Sequence, residues 1–270
     1  MAVEQHTLID THTHPHMAGY KLPPSEFWQL TEAAGVEQVI CVGTDAADSQ
    51  RAIEFTRQYR SARASVGLHP HEASRWEEQR SPLAELAASP EVVAIGECGL
   101  DYYYAHSTVA EQQVALQGQL ELAYKHDLPL IFHVRRSSDQ AAASDAFTDL
   151  FELIDEYADR AGRIRGVVHS FTAEPATLKA CVDRGLYIGL NGIMTFTRDA
   201  PQLAAAKAVP LANLVLETDA PFLTPDPYRG TVNHSGHVRT VAEFLSQLRG
   251  EPLVDVASAT TKNAKELFRL

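Results

Sequence analysis

VVAIGE, residues 92–97, sets four apolar residues directly before a glycine and a carboxylate. Continuous apolar runs of this length, as opposed to alternating ones, mark strands buried on both faces. Seven more runs share the pattern, namely HTLID from His6, QVICVG from Gln38, ARASVGLH from Ala62, PLIFHV from Pro129, IRGVVHSF from Ile164, YIGLNG from Tyr187 and LVLETD from Leu214. Between them lie segments with apolar residues at three and four spacings, Ser25 to Ala34, Asp48 to Tyr59, Val109 to His126 and Glu174 to Arg184, which predict helices. Repeated βα units predict an α/β fold with a parallel sheet. Eight of them favour a closed (β/α)8 barrel of the TIM type over the alternative, an open flavodoxin-like sheet.

The chain has 270 residues, close to the ~250 of one such barrel, so residues 1–270 are read as one domain. The connection from Arg135 to Arg163 is lengthened by SSDQAAASD ahead of a helical FTDLFELIDEY, and the tail from Gly230 predicts two helices and no further strand. A hydrophobic share of 45% with 21% charged residues fits a globular protein. The net charge of -12 repels polyanions and argues against loose coating of nucleic acid. A nuclease stays possible, because bound divalent cations reverse the local sign in a site. Cys41, Cys98 and Cys181 show no CxxC spacing, which speaks for a reducing compartment and against a cysteine zinc site. With no basic-then-apolar leader and no run of ~18 apolar residues, the expectation is a cytoplasmic protein with no membrane association and no obligatory protein partner.

The chemistry gathers where the strands end. His12 and His14 sit in DTHTHP, where two-residue spacing on extended backbone puts both imidazoles on one face. Glu97 ends VVAIGE, His133 ends PLIFH, His169 ends RGVVH and Asp219 ends LVLETD. Singly, each has a bland reading: a loop-mouth polar residue, a salt-bridged carboxylate, a satisfied core histidine, a turn aspartate. Together they put ligand-type residues at the C-terminal ends of strands one, four, five, six and eight, the end at which parallel barrels build active sites. Four histidines and two carboxylates suffice for two divalent cations sharing a bridging carboxylate. Such a pair activates water and stabilises the entering and departing oxygens of a phosphoryl transfer, and it can equally polarise a carbonyl.

DTHTHP, GLHPH from Gly67, GECGLDYYY from Gly96, QLELAYKHDLPLIFHVR, VVHSF, ETDAPFLTP from Glu217 and TTKNAKELF resemble, in order, the motifs of the TatD family of metal-dependent hydrolases in the amidohydrolase-like superfamily. The resemblance implies a DNase, commonly exonucleolytic. It implies one metal on His12, His14, Glu97 and Asp219 and a second on Glu97, His133 and His169, with Glu97 and Asp219 as catalytic groups and Asp219 accepting a proton from the attacking water. Asp10 resembles a carboxylate that orients a ligand. His71, Tyr102, Arg135 and Arg229 occupy motif positions expected to face substrate, DNA or another phosphate ester. The sequence does not choose among zinc, magnesium and manganese as the expected metal, although histidine-rich ligation leans to zinc, manganese or iron.

The family's usual RGKRNEPAYV reads RGTVNHSGHV here, residues 229–238, keeping Arg229, Gly230 and Asn233 while Val232, His234, Ser235 and His237 replace a basic residue, an acid, a proline and an aromatic. The ligand set is untouched, so the change bears on substrate. His234 and His237 can stand in for the lost base or reach a metal, but are read first as surface loop residues, and Cys98 as a small buried filler. Two other functions compete: a metallohydrolase of a small ester, amide, lactone or aminoacyl-tRNA ester, and a catalytically silent scaffold barrel.

Overall fold

The computed structural model describes residues 7–104, 106–139 and 144–270. His6 and part of the SSDQAAASD stretch therefore lie outside the described residues. Strands β1 (Leu8–Thr13), β2 (Val36–Val42), β3 (Ala62–Val66), β4 (Val92–Asp101), β5 (Leu130–Arg135), β6 (Gly166–Val168), β7 (Tyr187–Leu190) and β8 (Leu214–Leu216) pair in parallel in chain order. The last strand returns to the first. Thr13 bridges Ala220, the His14 amide donates to the Ala220 carbonyl at 2.7 Å, and the Asp219 amide donates to the His12 carbonyl at 2.8 Å. An open doubly wound sheet reverses its strand order at a switch point. This sheet has none, so the barrel reading holds and the flavodoxin-like alternative falls.

The connecting helices are α1 (Pro24–Ala33), α2 (Ala46–Gln58), α3 (Trp76–Leu86), α4 (Val109–His126), α5 (Ala146–Ala161), α6 (Pro175–Asp183), α7 (Ile193–Phe196) and α8 (Ala200–Ala208), followed by α9 (Val238–Arg249) and α10 (Leu253–Phe268). The larger apolar layer lies between strands and helices and includes Phe27, Leu116, Phe132 and Leu190. A second cluster holds Ile9, Ile40, Ala94, Ile131, Val167 and Val215, joined by Leu267 and Phe268 of α10. Strand alternation puts Ile131, Val167 and Val215 on the same faces as His133, His169 and Glu217 two residues on. An apolar layer thus supports a polar layer at the C-terminal mouth.

Two strands depart from simple alternation. β1 spans Asp10 to Thr13 where β2 spans only Val39 to Cys41, and β4 spans Ile95 to Cys98 where β5 spans only Leu130 to Phe132. One extra residue in a strand re-aims the side chains beside it. The irregularities fall on His12 and Glu97, so both lie inside their strands rather than after them, where the ends of the apolar runs would put them.

Candidate metal centre

Glu97 is 5% exposed at the centre of the mouth, and its two oxygens face different partners. Oε2 lies 3.4 Å from His12 Nε2. Oε1 lies 2.9 Å from His133 Nδ1, 3.5 Å from His69 Nε2 and 3.7 Å from His169 Nε2. His12 Nε2 and His14 Nε2 stand 3.2 Å apart, and Asp219 Oδ1 is 3.4 Å from His14 Nε2 and 3.8 Å from His12 Nε2. Two imidazole nitrogens on one tetrahedral ion at ~2.0–2.1 Å would sit ~3.3 Å apart, so this spacing fits a shared cation. Among the described residues, His12, His14 and Glu97 form one group able to hold a metal, and His69, Glu97 and His133 another.

The surrounding bonds fix tautomers and ring orientations. The Val42 carbonyl, 2.8 Å from His14 Nδ1, calls for a proton on that nitrogen and leaves the Nε2 lone pair toward the site. His169 Nδ1 stands 2.9 Å from Glu217 Oε1, and that oxygen also accepts from the Ser170 amide at 2.7 Å and Asn191 Nδ2 at 3.2 Å. Gly189 makes room for this carboxylate, because a Cβ there would collide with Glu217 Oε2. Asp10 is fully buried and accepts from the His12 amide at 3.3 Å and from the Thr218 amide and hydroxyl at 2.9 and 2.6 Å. It ties β1 to the end of β8 and so seats His12 and Asp219 together. Asp219 itself has φ 56°, a left-handed conformation uncommon outside glycine and frequent at functional sites.

The electrostatics are those of a cation hole. Burial pushes Glu97 upward, but His69, His12 and His133 outweigh it and hold the carboxyl well below the usual range. Burial likewise raises Asp219, and His14 with the neighbouring histidines brings it below its ordinary value. Burial lowers His169, yet Glu217, Glu97 and Asp219 raise it to about 10; for His133, Asp101 and Glu97 overcome burial and raise it to about 8. His69 goes the other way, lowered by burial to about 4. Metal-free, the carboxylates keep protons on His133 and His169; a divalent cation is the other way to balance them.

Residues 9–269 match the family described as TatD related DNase. The chain belongs to the TatD family. It is 34% identical over 264 residues to the metal-dependent hydrolase YabD of Bacillus subtilis, covering 97% of this chain and 99% of that one. It is 36% identical to the 3'-5' ssDNA/RNA exonuclease TatD of Shigella flexneri, over 87% of this chain and 88% of the relative. The crystal structure of YJJV, a TatD homologue from Escherichia coli, superposes with a TM-score of 0.88 at 30% identity, covering 97% and 98% of the two chains. The protein is a metal-dependent hydrolase of this family. Among its described residues no helix is long and apolar enough to cross a membrane.

A TatD mouth of about 720 Å³ opens over the cluster, lined by His71, Arg135, Ser170, Thr172 and Phe222 among others. His71 and Arg135 border the cavity, with His71 Nε2 3.0 Å from Asp101 Oδ2. Tyr102 does not. Its hydroxyl donates to Asp149 of α5 at 2.7 Å and the residue is buried, so its role is packing between β4 and α5. Arg229 stacks on Phe196 at 4.1 Å and donates to the Thr224 carbonyl at 2.7 Å, holding its own loop. His237 is buried, not a surface residue: it stacks between Tyr228 and His234 and bonds Asn233 at 2.8 Å. Asn233 also donates to the carbonyls of Thr218 and Phe222, so the altered loop braces the turn that carries Asp219. Cys98 is fully buried, in keeping with a filler.

Reading the sequence by motif missed His69, Glu217 and Asp101. GLHPH contains two histidines, and the first faces Glu97 while the second faces Asp101. Asp101 stands between His71 and His133, each 3.0 Å from its Oδ2. The signal for Asp101 was its place nine residues into a strand that continues past Glu97.

Proposed function

We propose that this hydrolase removes nucleotides from the end of single-stranded DNA, and of RNA, by hydrolysing the terminal phosphodiester with two divalent cations bound per chain, of the zinc, manganese or magnesium type. The division of Glu97 between His12 on one oxygen and His133, His169 and His69 on the other carries this reading. Exonuclease relatives at about a third identity support the substrate class.

What such cations supply when bound is Lewis-acid stabilisation of the entering and departing oxygens of the phosphoryl group. His12, His14 and Asp219 would hold one, His133 and His169 the other, with Glu97 shared between them. His69 extends the second group beyond the six ligands drawn from motif. Asp219 would accept the proton of the attacking water, since it borders the cavity and is held ionised by His14 and its neighbours. Asp10 positions His12 through the backbone, and Glu217 keeps His169 turned toward Glu97. Arg135 and His71 offer a cation and a donor to the strand at the rim.

An end-labelled oligonucleotide tests this across several metals. Wild type releases mononucleotides and carries two equivalents of metal by elemental analysis. Glu97→Ala and Asp219→Ala each lose at least about a hundredfold in rate. A metal-loaded wild type inert on single-stranded DNA and RNA, yet active on carboxylic esters or lactones, would replace the nuclease reading with the small-ester one.

A further inference from the structure

Beyond the cluster, one stretch of the rim has chemistry that holding metals does not use. Tyr103 and Tyr104 follow β4 and are 46% and 51% exposed, their rings perpendicular at 80° with 4.9 Å between centroids. Adjacent exposed rings beside a cavity offer a surface on which a ligand leaving the cavity can pack. Their backbone is not loose, because both amides donate to Asp101 Oδ1, at 2.9 and 3.0 Å. Arg135, from the end of β5, sets its guanidinium 4.1 Å from the Tyr103 centroid and 4.7 Å from that of Tyr104, and among the described residues it makes no ion pair.

The platform is coupled to the reaction centre by one side chain. The same Asp101 that fixes the two amides approaches His133 at 3.0 Å with its other oxygen, and Arg135 lines the cavity itself. Two half-exposed tyrosines with a guanidinium over their rings, and His106 stacked on Tyr104 at 5.9 Å, match one occupant well: an unpaired nucleobase with its phosphate. Bases stack on tyrosine rings and guanidinium planes with little regard to identity. Within a duplex the bases are paired and held in the stack, so only a single strand is free to splay one onto these rings.

We propose that Tyr103, Tyr104 and Arg135 form a stacking station for the nucleobase adjoining the scissile phosphate, so that the enzyme selects unpaired strands by base stacking at its rim. This rests on the nuclease reading above. The station recognises substrate; it takes no part in the chemistry at the metals.

Steady-state kinetics on single-stranded oligonucleotides tests it, with one base-free tetrahydrofuran residue moved through successive positions from the cleaved end. For wild type, KM rises about tenfold (~1.4 kcal/mol) at one position, the one whose base occupies the platform. Tyr104→Ala, and the Tyr103→Ala/Tyr104→Ala pair, show that rise on the intact strand already, with kcat changed far less. They are then indifferent to loss of the base at that position. Tyr104→Phe, which keeps the ring, restores the wild-type KM. Both rings are half exposed, so folding is checked by thermal melting. An active wild type whose KM is unmoved by Tyr104→Ala and the double variant, or variants as sensitive to the missing base as wild type, overturns the platform alone. A wild type inert on every oligonucleotide overturns the nuclease reading and the platform with it.

Discussion

At the scale of single residues, the proton inventory of the centre predicts how it takes up metal. His133, raised to about 8, and His169, raised to about 10, both hold protons at pH 7 in the metal-free protein. Ligation needs the neutral imidazole, so uptake must expel them. Apparent metal affinity therefore climbs as pH rises through about 8 and continues to climb toward about 10. Calorimetric titration of the metal-free protein in buffers of different ionisation enthalpy should report close to two protons released per chain at pH 7; release of none would mean these histidines do not ligate. Stability follows with its own sign. The folded pKa of His169 lies above the ordinary 6.5, so its contribution to the metal-free fold is complete below about 6.5 and is lost as pH rises through about 10. Much of this centre was legible because β5 and β6 each end an apolar run on a histidine. His69 and Glu217 were not. A turn, Pro70–Arg75, begins directly after His69, where alternation no longer says which of two nearby histidines points inward, and in ETD only the folded strand end distinguishes the carboxylate aimed at His169 from the one aimed at His14.

At the scale of elements, α4 does more than cover the barrel. Gln112 and Gln119 lie seven residues apart, on one face, and each is buried. Gln112 accepts from the Asp101 amide at 2.7 Å and donates to the Asp101 carbonyl at 3.0 Å. Gln119 does the same for Leu68, at 2.7 and 3.0 Å. One helix thus clamps the ends of two strands, holding the residue before His69 and the residue that approaches His133 and His71. Gln119→Leu would leave both backbone groups of Leu68 buried and unpaired, at about 1–3 kcal/mol for each orphaned group. Urea denaturation should show a loss of roughly 2–6 kcal/mol with unchanged m-value; a loss under about 0.5 kcal/mol would show that water or a shifted loop replaces the clamp. The apolar spacing from Val109 to His126 gave the extent of α4, and the structure adds a capping box of Thr108 and Glu111 at its start. The clamps were hidden. A glutamine on an apolar face looks like a tolerated exception until the strand ends it pairs with are in place.

At the scale of the whole molecule, the nuclease reading requires an acidic protein to recognise a polyanion. The net charge of -12 disfavours contact along the strand, and Arg135 is a cation at the cavity that no described carboxylate neutralises. Affinity then has to come from the metals at the reacting phosphate and from the faces of unpaired bases, two contributions of different salt dependence. Stacking is nearly indifferent to salt, whereas each phosphate neutralised on a single strand contributes ~0.7 to the slope of log affinity against log salt. With Arg135 and the metal centre engaging one or two phosphates, the slope of log(1/KM) against log[KCl] should lie between about -0.7 and -1.4 from 50 to 200 mM, at fixed metal concentration. A protein that follows the backbone over many nucleotides gives a far steeper slope, since every added contact releases counterions. A slope steeper than about -4 would therefore mean that the strand runs on over a surface far larger than this mouth. A shallow slope together with a strong penalty for one missing base would locate recognition at the few residues around a single strand end.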